Sequence, residues 1–108
     1  MNDRELLELA AKAAGIGGYW DVSHEWFVTR HTATGLMLDT WNPLADDADA
    51  LRLAVKLRLD VEWLDSETVF VESAEHIANG DPYAATRRAI VRAAAEIGRQ
   101  MSTAGDSD

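Results

Sequence analysis

The segment most informative about the architecture of this chain is WNPLADDADALRLAVKL, residues 41–57. Its Asn-Pro pair turns the chain, because the residue before a proline is pushed away from the helical conformation. Asp46 or Asp47 then caps a helix that runs to about Leu57. The apolar residues of this helix are so dense that we expect most of its surface to be buried. They are Leu51, Leu53, Ala54, Val55 and Leu57.

A second helix is predicted downstream by DPYAATRRAIVRAAAEIG, residues 81–98. Asp81 is its expected cap, and Pro82 occupies the first helical position, where the missing N–H group costs no hydrogen bond. Helical spacing predicts one apolar stripe along this helix. The stripe consists of Tyr83, Ile90, Ala94, Ile97 and Met101.

The length and composition of the chain fit one domain. With 108 residues, of which 47% are apolar, the chain is long enough for a single packed core. We expect residues 1–101 to form this domain and residues 102–108, which are mostly small and polar, to be a flexible tail. A first helix is expected to be capped by Asn2 or Asp3 and to end at Gly15.

Four segments between the helices are typical of strands, because they are rich in β-branched and aromatic residues. They lie near residues 20–29, with a bend inside, and near 34–41, 59–64 and 68–73. Residues 31–33 are the expected loop of the first hairpin. Short hairpins favour antiparallel pairing, and helices must cover the sheet. The order predicts an α+β fold in which a four-stranded, mainly antiparallel sheet packs with three helices, with a three-layer α/β/α sandwich as one form of it.

The two quoted segments, together with ELLELAAKAAG at residues 5–15, resemble the phage ABA-sandwich family of small phage and prophage proteins. The family name implies a sheet between helical layers, which agrees with the predicted order of elements. The resemblance spans the chain and is least distinctive over residues 18–40. Where the family pattern is Thr-Asp-Asp-Gly-Asp, this chain has ADDAD at residues 45–49, so no special glycine geometry is expected there. The resemblance implies a viral accessory protein and no catalytic residues.

The net charge of −9 limits the classes of partner. Nucleic acids are polyanions, so a chain this acidic is not expected to bind them directly. It can instead bind a basic surface of another protein, although acidity can also serve solubility alone. The chain has no cysteine, no signal-peptide pattern and no apolar run of the roughly 18 residues that a membrane helix needs. These features predict a cytoplasmic protein without disulfides or membrane contact.

No pattern in the sequence indicates an enzyme, a metal site or a cofactor. There is no GxSxG nucleophile elbow and no HExxH pair, and the three histidines are far apart in the chain. Asp46, Asp47 and Asp49 could bind a divalent cation through their carboxylates. The competing interpretation, which we favour, is helix capping with favourable charge at the helix N-terminus.

The last helix and the tryptophans offer further candidate contacts. Arg88 and Arg92 share a helix face and could clamp a phosphate or an acidic partner. Pairing of the arginines with the chain's own carboxylates, including those of the second helix, is the favoured alternative. Trp20 follows a glycine turn and could be an exposed interface anchor, whereas the other three tryptophans are expected in the core. Those three are Trp26, Trp41 and Trp63.

The sequence therefore favours a non-enzymatic phage or prophage accessory protein that acts by protein–protein contact. One concrete form is an inhibitor of a host defence system, such as an anti-CRISPR, whose acidic face occupies a basic nucleic-acid-binding surface. The alternatives are a small metabolite- or metal-binding protein or enzyme, a virion assembly component, and a homodimer joined through an apolar sheet face or Trp20. The candidate contact residues are Asp46, Asp47, Asp49, Trp20, Arg88 and Arg92.

Overall fold

The computed structural model describes the backbone of residues 1–31 and 38–106 and the side chains of residues 1–29 and 39–102. This part of the chain contains three helices and six strands. The helices are α1 (Asp3–Ala14), α2 (Asp47–Leu57) and α3 (Pro82–Asp106). The strands are β1 (Tyr19–Asp21), β2 (Trp26–His31), β3 (Leu38–Trp41), β4 (Val61–Asp65), β5 (Thr68–Val71) and β6 (Ala74–Ile77).

The strands form two separate sheets, so the prediction of one four-stranded sheet is wrong. Each sheet has three antiparallel strands, in the orders β1-β2-β3 and β4-β5-β6. The α+β class, the antiparallel pairing and the three helices are confirmed. The described residues do not contain a single sheet between helical layers. The helix α2 lies between β3 and β4 in the chain, and the strands of each sheet pair only with their neighbours in sequence.

The bend predicted within residues 20–29 is confirmed between β1 and β2, whereas β6 is a strand that the sequence patterns did not predict. Glu25 has a left-handed φ of 56° and sharpens the bend that divides β1 from β2. Glu72 and Ser73 have φ values of 52° and 68° and join β5 to β6 in a two-residue turn. None of these residues is a usual signal for such a conformation, which glycine or asparagine adopts more readily. The predicted hairpin loop at residues 31–33 begins within β2, and the rest of it lies outside the described residues.

The three helix starts form as their local sequence predicts. The side chain of Asn2 accepts a hydrogen bond from the Glu5 backbone N–H at 2.8 Å. Asp46 Oδ1 accepts from the N–H groups of Ala48 at 2.8 Å and Asp49 at 3.2 Å. These bonds satisfy N–H groups that have no partner inside their own helix. The Asp81 carboxylate caps α3 in the same way, and Gly15 ends α1 with a φ of 70°.

The helix α2 buries only one of its faces, contrary to the prediction that most of its surface is buried. Leu53 is 2% exposed and Ala54 is also buried. Leu51 and Val55, one helical turn apart, are 64% and 68% exposed. The reason is that α2 packs mainly against α3, so its opposite side contacts little else. Counting apolar residues therefore overestimated the buried surface of this helix.

The apolar stripe of α3 is buried only in the middle of the helix. Ile90 and Ala94 are in the core, whereas Tyr83 and Met101, near its ends, are exposed. The helix runs to Asp106, so the boundary expected at residue 101 lies inside it. The flexibility of residues 102–108 and the assignment of residues 1–101 to one domain stay predictions.

The core is built where α3 packs along α1. Small residues dominate this contact, including Ala10 and Ala94, and they let the two backbones approach closely. The second sheet places Val69 and Val71 against α3. The first sheet contributes Phe27 and Trp41, whose rings meet edge to face with their centroids 5.7 Å apart. Each sheet thus packs one face against the core, with aromatic residues in the first sheet and aliphatic residues in the second.

The left-handed turn between β5 and β6 provides a test of local strain. We expect Ser73→Gly to stabilise the protein by about 0.5–1 kcal/mol, because a left-handed conformation costs an L-residue about 1–2 kcal/mol and glycine's extra entropy offsets part of that gain. Urea denaturation would measure the change in the free energy of unfolding. Ser66→Gly is the matched control, since Ser66 lies in the β4–β5 turn without a left-handed φ and should lose stability. Equal shifts in both variants would contradict the explanation.

Candidate functional site

The three aspartates predicted as a candidate site are each bonded within the fold. Asp46 caps α2, and Asp47 Oδ1 lies 2.6 Å from the Arg87 guanidinium. Asp49 Oδ2 accepts from the Asn42 backbone N–H at 3.0 Å. Among the described residues, no group of three or more histidine, aspartate or glutamate side chains could hold a metal ion. The capping interpretation is confirmed for Asp46, and the cluster does not converge on a common point.

The arginines of α3 differ in their surroundings. Arg87 donates to the Leu44 carbonyl oxygen at 2.9 Å and pairs with Asp47, which confirms pairing with a carboxylate of α2. Arg88 lies 3.1 Å from Asp3 of α1 in an exposed ion pair. Arg92 has no carboxylate partner within the described part of the chain. The two arginines expected to act together on one face therefore have separate environments.

The most exposed tryptophan is Trp63, and not Trp20 as predicted. Trp20 is half-buried and packs against the core, and Trp41 is buried as expected. Trp63 is 50% exposed, and Trp26 is also partly exposed, so the prediction that both lie in the core is wrong. The ring of Trp26 stacks on His24 with 4.7 Å between the centroids.

The position of Trp63 in its sheet explains its exposure. Trp63 pairs with Val69 of β5, so both side chains lie on the same face of the sheet. Val69 is fully buried because α3 packs over β5 and β6. The edge strand β4 extends past this cover. The indole consequently lines an open groove instead of the core.

This groove lies between α2, the β4 edge and the first turns of α3, and we call it the α2–β4 groove. Its volume is about 590 Å³. Ala50 and Ile90 are its buried apolar residues, and Leu51, Trp63 and Tyr83 are exposed around it. The Asp47–Arg87 ion pair also lines the groove. The result is a mostly apolar concave surface on a strongly acidic protein.

The segment that follows α2 surrounds the second sheet with negative charge. Residues 59–81 contain seven aspartates and glutamates and neither lysine nor arginine. All seven side chains are exposed to solvent. They are Asp60, Glu62, Asp65, Glu67, Glu72, Glu75 and Asp81. We call Asp65, Glu67 and Asp81 the acidic border, because Asp65 and Glu67 flank Ser66, and Asp81 precedes Pro82, at the α2–β4 groove.

A second cavity, of about 480 Å³, lies between α3, the end of α2 and the β5–β6 hairpin. We call it the α3–β6 cavity. Arg92 of α3 and His76 of β6 both line it. Partial burial lowers the pKa of His76, and the positive charge of Arg92 lowers it further. The imidazole is therefore held in its neutral form at neutral pH.

A carboxylate–imidazole pair closes the turn between β1 and β2. His24 Nδ1 lies 2.8 Å from Asp21 Oδ2, and the Ser23 backbone N–H donates to Asp21 Oδ1 at 3.0 Å. The hydrogen bond from His24 is the main cause that lowers the pKa of Asp21. These bonds lie within four consecutive residues and stabilise the turn.

Neither cavity could be predicted from the sequence, because each depends on how the helices and strands pack together. The groove requires Trp63 to lie beyond the cover of α3, and the α3–β6 cavity requires strand β6, which was not predicted. The sequence does contain one signal of the surface around the groove. The absence of lysine and arginine from residues 59–81 already marks an acidic surface in the sequence.

No helix within the described ranges combines the length and apolarity needed to span a membrane. Comparison of the chain with protein-family models, curated proteins and solved structures found no significant match. The resemblance to the phage ABA-sandwich family therefore stays a hypothesis.

Proposed function

We propose that this protein acts by protein–protein contact, with the α2–β4 groove and its acidic border as the contact surface. The observation that carries the proposal is the exposure of Leu51, Trp63 and Tyr83 around one groove. Exposed apolar patches rimmed by polar residues are typical of interaction sites, and tryptophan and tyrosine dominate the binding energy of many interfaces. In this proposal the protein performs no chemistry and needs no cofactor.

Charge complementarity identifies the class of partner. The acidic border would attract lysine and arginine residues and speed the encounter of the two proteins. A second copy of this chain would instead bring two acidic borders together at a net charge of −9 each. We therefore propose a different protein, with an apolar anchor surrounded by basic residues, rather than a homodimer.

The resemblance to phage proteins suggests where such a partner is found. We propose a host or phage protein in the bacterial cytoplasm, and in the most specific form a defence system of the CRISPR type. The acidic border would then occupy a basic surface that normally binds nucleic acid, and exclude the nucleic acid from it. A virion assembly role is the competing form, and mass spectrometry of purified particles would separate the two.

The test compares the amount of partner that is captured by two variants, each with an aspartate in place of one exposed apolar residue. We expect Leu51→Asp to lose about thirtyfold or more in affinity for the partner, since an interface hot spot contributes at least ~2 kcal/mol. Val22→Asp is the matched control, because Val22 is equally exposed but lies in the β1–β2 turn, outside the groove. Quantitative mass spectrometry of proteins captured from host lysate would compare both variants with the wild type.

Two outcomes would contradict this function. One is a partner that both variants retain equally, which would place the contact elsewhere. The other is capture that does not weaken as ionic strength rises from ~0.1 M to ~1 M, where the screening length falls from about 10 to about 3 Å. Thermal unfolding should be the same for Leu51→Asp and wild type, because Leu51 is already exposed.

A further inference from the structure

The α3–β6 cavity has the size and lining of a small-molecule site. Its volume of about 480 Å³ is within the ~300–1,000 Å³ range of ligand pockets. Three different elements supply its apolar lining, so a ligand would be enclosed from several sides. These residues include Leu57, Leu59, Val71, Ala93 and Ile97. Such a lining suits a hydrocarbon group.

The polar residues of this cavity include a cation that pairs with no carboxylate in the described part of the chain. The other arginines of α3, at positions 87, 88 and 99, each contact a carboxylate. Arg92 contacts none among the described residues, although the chain carries nearly twice as many acidic as basic residues. His76 lines the same cavity from β6. A guanidinium and an imidazole thus belong to the lining of one mostly apolar cavity.

The carboxylates that line the cavity are bonded to other groups. Glu96 accepts from Arg99 Nε at 3.0 Å and lies 3.5 Å from the Gln100 amide nitrogen. Glu72 accepts from the Asp60 backbone N–H at 2.9 Å. Neither bonds Arg92 or His76. Arg92, Glu72 and Glu96 are the charged residues that line the cavity together with His76.

We propose that the α3–β6 cavity binds a small apolar carboxylate, with its carboxylate between Arg92 and His76 and its hydrocarbon chain against the apolar lining. A guanidinium binds a carboxylate through two parallel hydrogen bonds, and the imidazole supplies another donor. A dianion such as a phosphate monoester fits less well, because Glu72 and Glu96 are close and only one permanent cation is present. This site is separate from the α2–β4 groove and does not depend on the function proposed for it.

Binding should strengthen as the pH falls. In the free protein, burial and Arg92 hold the pKa of His76 below its ordinary value. A bound anion stabilises the imidazolium and raises that pKa, so the complex takes up a proton that the free protein lacks. We therefore expect tighter binding at about pH 6 than at about pH 8. His76→Gln should remove this dependence and keep most of the affinity.

Octanoate is a suitable probe, with octanol and octylamine as controls that share its hydrocarbon chain. Isothermal titration calorimetry on the full chain should show octanoate binding about tenfold or more tightly than octanol, because a charge-assisted hydrogen bond contributes about that factor or more. Arg92→Gln should lose the same factor. Arg52→Gln is the matched control, since Arg52 is exposed on α2 and does not line the cavity.

The proposal is overturned if octanoate does not bind the wild type, or if octanol binds equally well. It is also overturned if Arg92→Gln and Arg52→Gln have the same affinity for octanoate. Arg92 is exposed, so its substitution should leave the fold intact, and a circular dichroism spectrum and melting curve would verify this. Leu51→Asp should bind octanoate as the wild type does, which separates this site from the groove.

Discussion

Replacing Gly98 by alanine is expected to destabilise this protein by about 2 kcal/mol or more, as overpacking of a tight contact does. A Cβ at this position of α3 would collide with the carbonyl oxygen of Leu9 in α1 and lie 3.2 Å from the Leu9 Cα. Both obstacles are backbone atoms, so no side-chain rotation can relieve the collision. The helices would have to separate along the contact that holds much of the core.

The sign of this effect distinguishes packing from helix propensity. In an exposed helix, alanine is about 1 kcal/mol more favourable than glycine, so propensity alone predicts that Gly98→Ala stabilises. Gly17→Ala is the control for the lost backbone entropy of glycine alone, because Gly17 lies between α1 and β1 and a Cβ there would meet nothing within 4 Å. Urea denaturation of both variants would measure the free energy of unfolding. A Gly98→Ala variant as stable as the wild type would contradict the close approach of α1 and α3.

Replacing Leu53 by alanine is expected to destabilise by about 2–5 kcal/mol, the range for removing a buried leucine side chain. Leu53 is almost fully buried in the core, and truncation would leave a cavity beside α3. The same change at Leu51, two residues earlier on the exposed face of α2, should alter stability by less than about 0.5 kcal/mol. The pair compares identical substitutions on opposite faces of one helix.

Thermal and chemical denaturation of these two variants would locate the buried face of α2. Similar losses at both positions would mean that α2 is buried all around, as its dense apolar sequence predicts. A large loss at Leu53 alone would support the structure. It would also show that Leu51 is available for the contact proposed at the α2–β4 groove.

The starts of the three helices and the end of α1 could be predicted because their determinants are local, whereas α3 continues past the boundary expected at residue 101. Asn2, Asp46 and Asp81 each bond N–H groups two or three residues ahead, and Gly15 adopts its left-handed conformation for want of a Cβ. Such signals need no information about the rest of the molecule. The four segments with strand propensity also contained strands, for the same reason.

Strand β6 and the division into two sheets could not be predicted from these patterns. The turn before β6 uses Glu72 and Ser73 in left-handed conformations that neither residue favours. The pairing of β5 with β6 compensates for that local cost, and pairing is a tertiary property. The same limit applies to the arginines of α3, since spacing placed Arg88 and Arg92 on one face but could not identify their neighbours.

Four features follow from the amino-acid sequence alone: the helix N-caps, the α+β class, the charge of −9 and the concentration of carboxylates in residues 59–81. These depend on residue identity and on contacts within one turn of chain. The tertiary arrangement of the elements exposes Trp63 and Leu51 beside one groove and brings Arg92 and His76 into the lining of one cavity. Local sequence does not specify burial and pairing, because these depend on which elements cover one another, and α3 covers β5 and β6 more fully than the β4 edge.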